Sequence, residues 1–315
     1  MNGVDVRNPR RSRSIGIVCA ICAAVLTLLP HAVSAYFERL AVSSRVHALG
    51  GAFVSVADDA SAVVLNPAGL TQIRSACVLS TISEPYGLSD LGEYTFAAGL
   101  PSKHGTLGIS WHRLGLEGVT SEDLFTIAFG RDLIRTSQDA SLSVGAGLDI
   151  SHVAYTDEGG GASATALSGT LAVLLRPFPF IGAGYTVRNL GEPSFDFAVL
   201  APGSDGSALD RTQLKTTHAF GFAYHWQELF SVVYERERGQ DARWSDRFGV
   251  EVRAGDHLRA RSGLAGADVT GGVGVLWSNV TIDAGVTSHD MLGLSYLVSV
   301  GISLPPKDKG EDEGW

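Results

Sequence analysis

The histidines are the first side chains to consider for catalysis, because an imidazole is the commonest general base near neutral pH. None of the candidates lies beside a nucleophile motif such as Gly-x-Ser-x-Gly, and no two of them have the spacing of metal ligands. They fall at strand or loop positions: His104, His112, His152, His218 and His289. The sequence therefore predicts a protein that is not an enzyme and that holds no cofactor and no metal.

Two other features with possible chemistry have simpler interpretations. The run Gly159-Gly160-Gly161 lacks the Lys-Ser/Thr pair that follows the glycines of a phosphate-binding loop, so we interpret it as a flexible loop. Cys77 is the single cysteine left once the N-terminal segment described below is removed. It cannot form an internal disulfide, and its apolar surroundings predict a small buried side chain.

From residue 75 onward, apolar residues recur with a period of two, which is typical of β-strands. In segment 292–304 every second residue from Leu292 to Leu304 is apolar, and most of the residues between them are glycine or serine. A soluble sandwich also alternates, but it rarely carries Gly and Ser along one whole face of so long a strand. A membrane barrel does, because one face contacts lipid and the other faces the lumen.

About fourteen such segments follow one another, an even number as bacterial outer-membrane barrels require. The sequence thus predicts an all-β fold, a transmembrane antiparallel β-barrel of about 14 strands. The segments are 75–83, 91–100, 104–114, 122–131, 140–152, 165–175, 180–190, 215–224, 229–237, 246–254, 257–264, 269–277, 279–287 and 292–304. Tight turns alternate with longer polar links, which we expect to be loops outside the cell: 84–90, 115–121, 153–164, 191–214 and 238–245.

The alternation assigns seven charged residues to the lumenal face. They predict either a ladder of cross-strand ion pairs that closes the interior or a polar path for a permeating ligand. These residues are Asp149, Arg188, Glu251, Arg253, Arg259, Arg261 and Asp283. Glycine pairs within strands, such as Gly145 with Gly147, are expected to leave room for a close neighbour rather than to bind a dinucleotide.

The stretch 45–70, before the first strand, is rich in small residues and contains two turn signals. Gly50-Gly51 permits positive φ, and Asn66-Pro67-Ala68-Gly69 combines a capping side chain, a fixed φ and a glycine exit. Between them, residues 52–56 are predicted to be extended, and Asp58-Asp59 is predicted to open a short helix over residues 60–65. We interpret the stretch as a compact plug, and its candidate residues are Gly50, Gly51, Asp58, Asp59, Asn66, Pro67, Ala68 and Gly69.

The words Gly-Gly-Ala-Phe, Ala-Asp-Asp-Ala and Asn-Pro-Ala-Gly-Leu, in this order over residues 50–70, resemble the N-terminal region of the FadL-like outer-membrane transporter superfamily. The PorV/PorQ-like proteins are the branch that they resemble most. The resemblance implies a 14-stranded barrel whose lumen holds this segment as a plug, or hatch. It also implies passive transport of a hydrophobic small-molecule ligand, with membrane lipids around the barrel.

Two other roles stay open at this stage. A PorV-like protein would bind a secreted protein or secretion machinery at the outer membrane, and the link 191–214 would be a natural contact surface. The barrel could also have a structural role without a ligand.

The N-terminus predicts export. Four arginines precede an apolar core that ends at Pro30, and Val33-Ser34-Ala35 resembles a signal-peptide cleavage site, so the chain is expected to reach the cell outer membrane after cleavage following Ala35. The lost segment has a net charge of +3, so the chain's −9 becomes −12, which argues against nucleic acid as a partner. The predicted domains are the signal peptide 1–35, the plug 36–74, the barrel 75–304 and a polar tail 305–315.

Overall fold

The structure, a computed structural model, describes residues 40–137, 140–157, 160–198, 209–227, 229–239, 242–289 and 292–305. The predicted signal peptide and nearly all of the polar tail lie outside the described residues. Among those described, no helix is both long enough and apolar enough to cross a membrane.

Sixteen strands are present within the described part of the chain, and fourteen of them form one closed antiparallel barrel. In the barrel each strand pairs with its neighbour in sequence, except that β7 pairs with β10, and β1 pairs with β16 to close it. This confirms the predicted barrel. The strands are β1 Cys77–Glu84, β2 Leu91–Ser102, β3 Gly105–Leu116, β4 Thr120–Arg135, β5 Ser141–Asp157, β6 Gly160–Phe178, β7 Ile181–Leu190, β8 Ser194–Ala198, β9 Leu209–Gln213, β10 Thr217–Trp226, β11 Phe230–Arg238, β12 Trp244–Ala254, β13 Leu258–Ala265, β14 Asp268–Trp277, β15 Val280–His289 and β16 Gly293–Ser303.

The two faces of the barrel wall differ in polarity as the alternation predicts. In β16, Tyr296 and Val298 are exposed on the outside, whereas Ser295 and Ser299 are buried on the inside. Exposed leucine, isoleucine, valine and aromatic side chains continue around the outer surface from β1 to β16. An apolar outer surface on a closed barrel indicates contact with lipid.

The predicted outer loops are shorter than the sequence suggests, because β4, β5 and β6 continue into the polar links. Of the predicted loop 153–164, residues 153–157 form the end of β5 and residues 160–164 form the start of β6. These residues are mostly small or polar, and their backbones stay paired with each other. The link 191–214 is also not a plain loop, since it contains the separate hairpin β8–β9.

We call the two ends of the barrel the turn end and the loop end. The turn end carries tight connections such as 102–105, 254–258 and 277–280. The loop end carries the β8–β9 hairpin and the connections 84–91 and 238–244.

Residues 40–73, which we call the inner segment, precede β1 and are mostly buried. The segment contains helix α1 Ser44–Ala48, helix α2 Ala62–Leu65 and the 3-10 helix Pro67–Gln72. The extended conformation predicted for residues 52–56 is wrong, because residues 54–56 form a turn in which the amides of Val56 and Ala57 both donate to Phe53 O. This turn lets the segment bend with the curved barrel wall.

Candidate functional site

The inner segment follows the inside of the barrel wall through nearly a full circuit. It begins beside β1 and β16, where Thr81 donates to Val42 O and Ser299 accepts from Ser44 N. It then passes the inward glycines of β15, β14, β13 and β12, and residues 54–55 lie against β10 and β7. Its second part lies against β5, β4 and β3 and ends near β2, before the chain enters β1.

These inward glycines let the backbone of the inner segment touch the wall. A Cβ on Gly145 would lie 2.3 Å from Ala68 N, and one on Gly184 would lie 2.2 Å from Val54 O. Such distances are far below van der Waals contact, so any other residue would force the two backbones apart. The glycines within strands therefore do leave room for a close neighbour, and that neighbour is the inner segment.

The predicted turn glycines have the conformations that require glycine. Gly50 and Gly51 have φ of +69° and +81°, which side-chain-bearing residues rarely adopt. Gly50 N donates to Thr270 Oγ1 on β14 at 3.1 Å, and Gly51 N donates to Val46 O in the middle of α1. At Gly69 the constraint is steric, since a Cβ there would meet Ala57 O at 2.2 Å.

Asn66 joins the two parts of the inner segment. Its amide nitrogen donates to Val54 O at 2.6 Å, and its side-chain oxygen accepts from Ala68 N at 3.1 Å, which caps the 3-10 helix that begins at Pro67. The Asn66 side chain is fully buried. A buried amide that bonds both neighbours fixes their relative position.

Arg45 is the charged centre of the inner segment. Its guanidinium bonds Asp58 at 2.5 Å, Asp59 at 3.0 Å and Glu251 of β12 at 3.1 Å. The pKa of Arg45 is raised above its ordinary value: burial alone would lower it, but Asp58, Glu251 and Asp59 outweigh burial. Asp59 Oδ1 also accepts from Ser61 N at 2.8 Å just before α2, in keeping with its predicted position at a helix start.

Glu251 carries this ion pairing into the wall. It lies directly across from Arg261 and bonds it at 2.6 Å, and Arg261 also pairs with Asp283 of β15. Arg45, Glu251, Arg261 and Asp283 thus form one chain of alternating charges from the inner segment through three strands.

A second group of charged side chains binds the inner segment near residues 53 and 54. Glu235 of β11 accepts from Phe53 N at 2.8 Å and from Val54 N at 2.9 Å. Arg247 of β12 pairs with Glu235 at 3.3 Å and also with Glu237. Glu237 in turn pairs with Arg188 of β7.

The remaining predicted lumenal charges occupy inward positions. Asp149 accepts from Thr126 at 2.6 Å and from Thr170 at 2.8 Å, so it ties β4, β5 and β6 together. Arg253 and Arg259 lie opposite each other on β12 and β13, nearer the turn end. That placement juxtaposes like charges, unlike the ladder of ion pairs that the sequence suggests.

Sequence reasoning missed several residues of the site. Arg45, Glu235 and Arg247 were not singled out, nor was Glu93, which accepts from Ala41 N at 2.9 Å and lies 3.4 Å from His112 Nε2. Glu93 could have been identified from the sequence, because it is the single acidic residue on the inward face of β2, a strand with clear alternation. Strand β11 was harder to interpret because it carries charges on both faces.

The loop end of the lumen is partly covered by the β8–β9 hairpin. Phe195 of β8 is buried against Val153 of β5, Ala166 of β6 and Leu214. Between the inner segment and the wall, a cavity of about 40 Å³ remains beside Gly51, Leu65 and Arg247. That volume holds little more than one or two water molecules.

These features define a class: a closed barrel with an apolar outer surface whose lumen contains the N-terminal segment of the same chain. No protein-family model matches the sequence, and no curated protein does. Solved structures do match the fold. The monoaromatic hydrocarbon channel CymD aligns with a TM-score of 0.62 at 13% identity, over 85% of this chain and 99% of that one.

The toluene transporter TbuX of Ralstonia pickettii aligns with a TM-score of 0.61 at 13% identity, over 85% of this chain and all of TbuX. A FadL homologue of Pseudomonas aeruginosa aligns with a TM-score of 0.61 at 11% identity, over 83% and 98% of the two chains. At these identities the likeness establishes a FadL-like fold.

Proposed function

We propose that this chain is an outer-membrane barrel through which hydrophobic small molecules pass passively, and that the inner segment is its plug. The observation that carries the proposal is the circuit of the inner segment around the wall, which occupies the lumen of a barrel with a lipid-facing exterior. Solved structures of the same fold include proteins described as a toluene transporter and a hydrocarbon channel. Export by the predicted signal peptide, with cleavage after Ala35, belongs to the same proposal.

The plug is fastened to the wall unevenly. Residues 41–54 donate hydrogen bonds to wall side chains from five positions, which are Ala41, Ser44, Arg45, Gly50 and Phe53. Thr71 and Gln72, at the other end, bond Ser143 and Arg176 of the wall.

The middle of the plug, residues 56–66, is fastened differently. Among the described residues its polar contacts run within the inner segment, from Asp58 and Asp59 to Arg45 and from Asn66 to Val54 O. Its contact with the wall is apolar, as where Val63 meets Gly108 of β3. An apolar solute can replace apolar contacts at little cost. We therefore infer that helix α2, whose side chains are all apolar, moves aside while Asp58, Asp59 and Asn66 and both ends of the plug stay attached.

Two engineered disulfides test this mechanism in a Cys77→Ser background. Val63→Cys with Gly108→Cys links the middle of the plug to the wall, because a Cβ at Gly108 would lie 2.6 Å from Val63 Cγ2. Ser44→Cys with Ser299→Cys links the fastened end, where the two hydroxyl oxygens are 2.9 Å apart. Each pair is closed by an oxidant and reopened by dithiothreitol.

Uptake of radiolabelled toluene into proteoliposomes is the measurement. We expect the barrel to admit toluene above the level of empty vesicles, the middle link to abolish this until it is reduced, and the end link to leave it unchanged. Uptake no faster than in empty vesicles would refute transport. Normal uptake through the oxidised middle link would refute the moving plug.

The PorV-like secretion role remains a prediction from the resemblance. No feature of the described residues favours a protein partner over a hydrophobic ligand, so we do not propose it.

A further inference from the structure

Two arginines face outward at the loop end of β11. Arg236 and Arg238 are both exposed, and Glu235 and Glu237 between and beside them are buried on the lumenal side. Across the neighbouring strands, Arg238 lies between His218 of β10 and Trp244 of β12. We call Arg236, Arg238, His218 and Trp244 the cationic strip.

Among the described residues, the strip has one acidic partner, Asp246. The Arg236 guanidinium lies 5.5 Å from the Trp244 ring centre and 3.7 Å from Asp246, and its side chain is 51% exposed. Asp246 makes its shorter bond, 2.6 Å, with the Tyr234 hydroxyl. In the described parts of β11 and β12, two outward arginines are therefore accompanied by one outward carboxylate, which is already bonded to Tyr234.

Another outward arginine at this end shows the contrast. Arg113 on β3 lies 3.5 Å from Asp123, directly across on β4, and has no second outward arginine beside it on its strand. Asp123 also accepts from Trp111 Nε1 at 2.9 Å, so the two places differ in the number of arginines rather than in the bonding of the carboxylate. Among the described residues, one outward arginine accompanies Asp123 and two accompany Asp246.

The strip also lies at a defined height. Below it on the same face come Phe222, Tyr234 and Phe248, and then Tyr224 and Val232, all apolar or aromatic. Strand β11 has 9 residues, so Arg238 lies about 27 Å along the strand from Phe230. With the usual tilt this is about 20 Å along the barrel axis, near the upper edge of an apolar band about 25 Å tall.

We propose that the cationic strip binds the phosphate group of a lipid in the leaflet at the loop end. An exposed guanidinium at the edge of the hydrocarbon layer lacks full hydration and pairs with the nearest anion, and phosphate offers the strongest charge-assisted hydrogen bonds. Trp244 lies at the level of the lipid headgroups, where tryptophan and tyrosine side chains are enriched in membrane proteins. The proposal rests on the membrane-spanning barrel but is independent of transport.

The test uses the purified full-length mature protein in detergent and measures displacement of a fluorescent lipid A. Arg236→Gln with Arg238→Gln is compared with Arg131→Gln, which removes an exposed arginine near the turn end of β4. We expect about 30-fold weaker lipid A binding by the double variant and no change for Arg131→Gln. Arg236→Lys with Arg238→Lys should restore most of the affinity, because the charge is kept.

Three results would overturn the proposal: unchanged affinity in the double variant, equal binding of dephosphorylated lipid A by the wild type, or displacement by inorganic phosphate at the same concentration as by lipid A. Heat-modifiability on gels verifies that the exposed substitutions leave the barrel folded. Toluene uptake by the double variant should equal that of the wild type, so failure of lipid binding and failure of transport are told apart.

Discussion

Replacement of Gly145 by alanine should push the plug away from the wall. Gly145 faces the lumen from β5, and a methyl group there would lie 2.3 Å from Ala68 N and 2.3 Å from Pro67 C. Both atoms belong to the backbone of a buried 3-10 helix, so no flexible side chain can give way. The plug must retreat by at least about 0.7 Å to reach even 3.0 Å.

The expected cost is that of overpacking a tight interior, about 1–3 kcal/mol in the free energy of unfolding. Gly147 provides a matched control, since it lies two positions further along the same face of β5. A methyl group there would meet Thr170 Cβ at 3.5 Å and Pro67 Cγ at 3.7 Å, which is ordinary contact. Gly147→Ala should therefore stay within about 0.5 kcal/mol of the wild type.

Two assays report the effect. Reversible urea unfolding of the barrel in detergent micelles gives the free energy, and ion conductance in planar bilayers reports leakage past the displaced plug. We expect Gly145→Ala to lower stability and raise conductance, and Gly147→Ala to do neither. If the two variants behaved alike, the close approach of plug and wall at β5 would not constrain the protein, and the argument from the wall glycines would fail.

Three further predictions concern the plug and the loop end. Arg45→Gln should lower the free energy of unfolding in urea by about 3 kcal/mol. This is the lower end of the range for a broken buried ion pair, because Glu251 keeps its other partner, Arg261. An unchanged unfolding midpoint would contradict this. Asn66→Ala should cost about 1–2 kcal/mol through its two lost hydrogen bonds and should make bilayer conductance noisier, and a silent trace would count against its role. The pKa of Glu192 lies below its ordinary 4.5, chiefly because its carboxylate accepts a hydrogen bond from Thr216 N. The hydrogen bond is therefore fully formed above pH 4.5 and weakens as the pH falls through the lowered pKa. Hydrogen exchange of the Thr216 amide, corrected for intrinsic rates, should accelerate with acid in the wild type and be insensitive to it in Glu192→Gln.

Much of the barrel could be predicted from the sequence because its signal is strictly local. Alternate residues in a strand face opposite sides. In β16 the side chains that face lipid are apolar and most of those that face the lumen are small or polar, so the pattern predicts both the strand and the orientation of its two faces. The ends of β5 and β6 escaped prediction because residues 153–157 and 160–164 include many small residues and show no regular alternation of apolar and polar side chains. The hairpin β8–β9 escaped because each of its strands has only 5 residues, too few for a period of two to be recognised within the link 191–214.

The plug contacts could be predicted only in part. Gly145 predicted a close neighbour because a glycine inside a strand lowers the stability of that strand. Such a glycine is therefore often found where another backbone packs closely against it. The identity of that neighbour depends on the path of the chain around the barrel. The partners of Arg45 are set by that path as well, since Glu251 lies more than two hundred positions away in sequence.

The sequence Glu235-Arg236-Glu237-Arg238 shows how one short strand serves both sides of the wall. A strand deep in the bilayer cannot carry charge on its lipid face, so arginines there place this end of β11 at the membrane surface. The glutamates face the lumen, where Glu235 holds the amides of the plug and Glu237 pairs with Arg188 and Arg247. A shift of the register of β11 by one residue would turn both glutamates toward the outer surface. It would also turn Arg236 and Arg238 toward the lumen, where Arg188 and Arg247 lie. The alternating charges therefore fix the register of β11, and with it the height of the plug's middle attachment relative to the membrane.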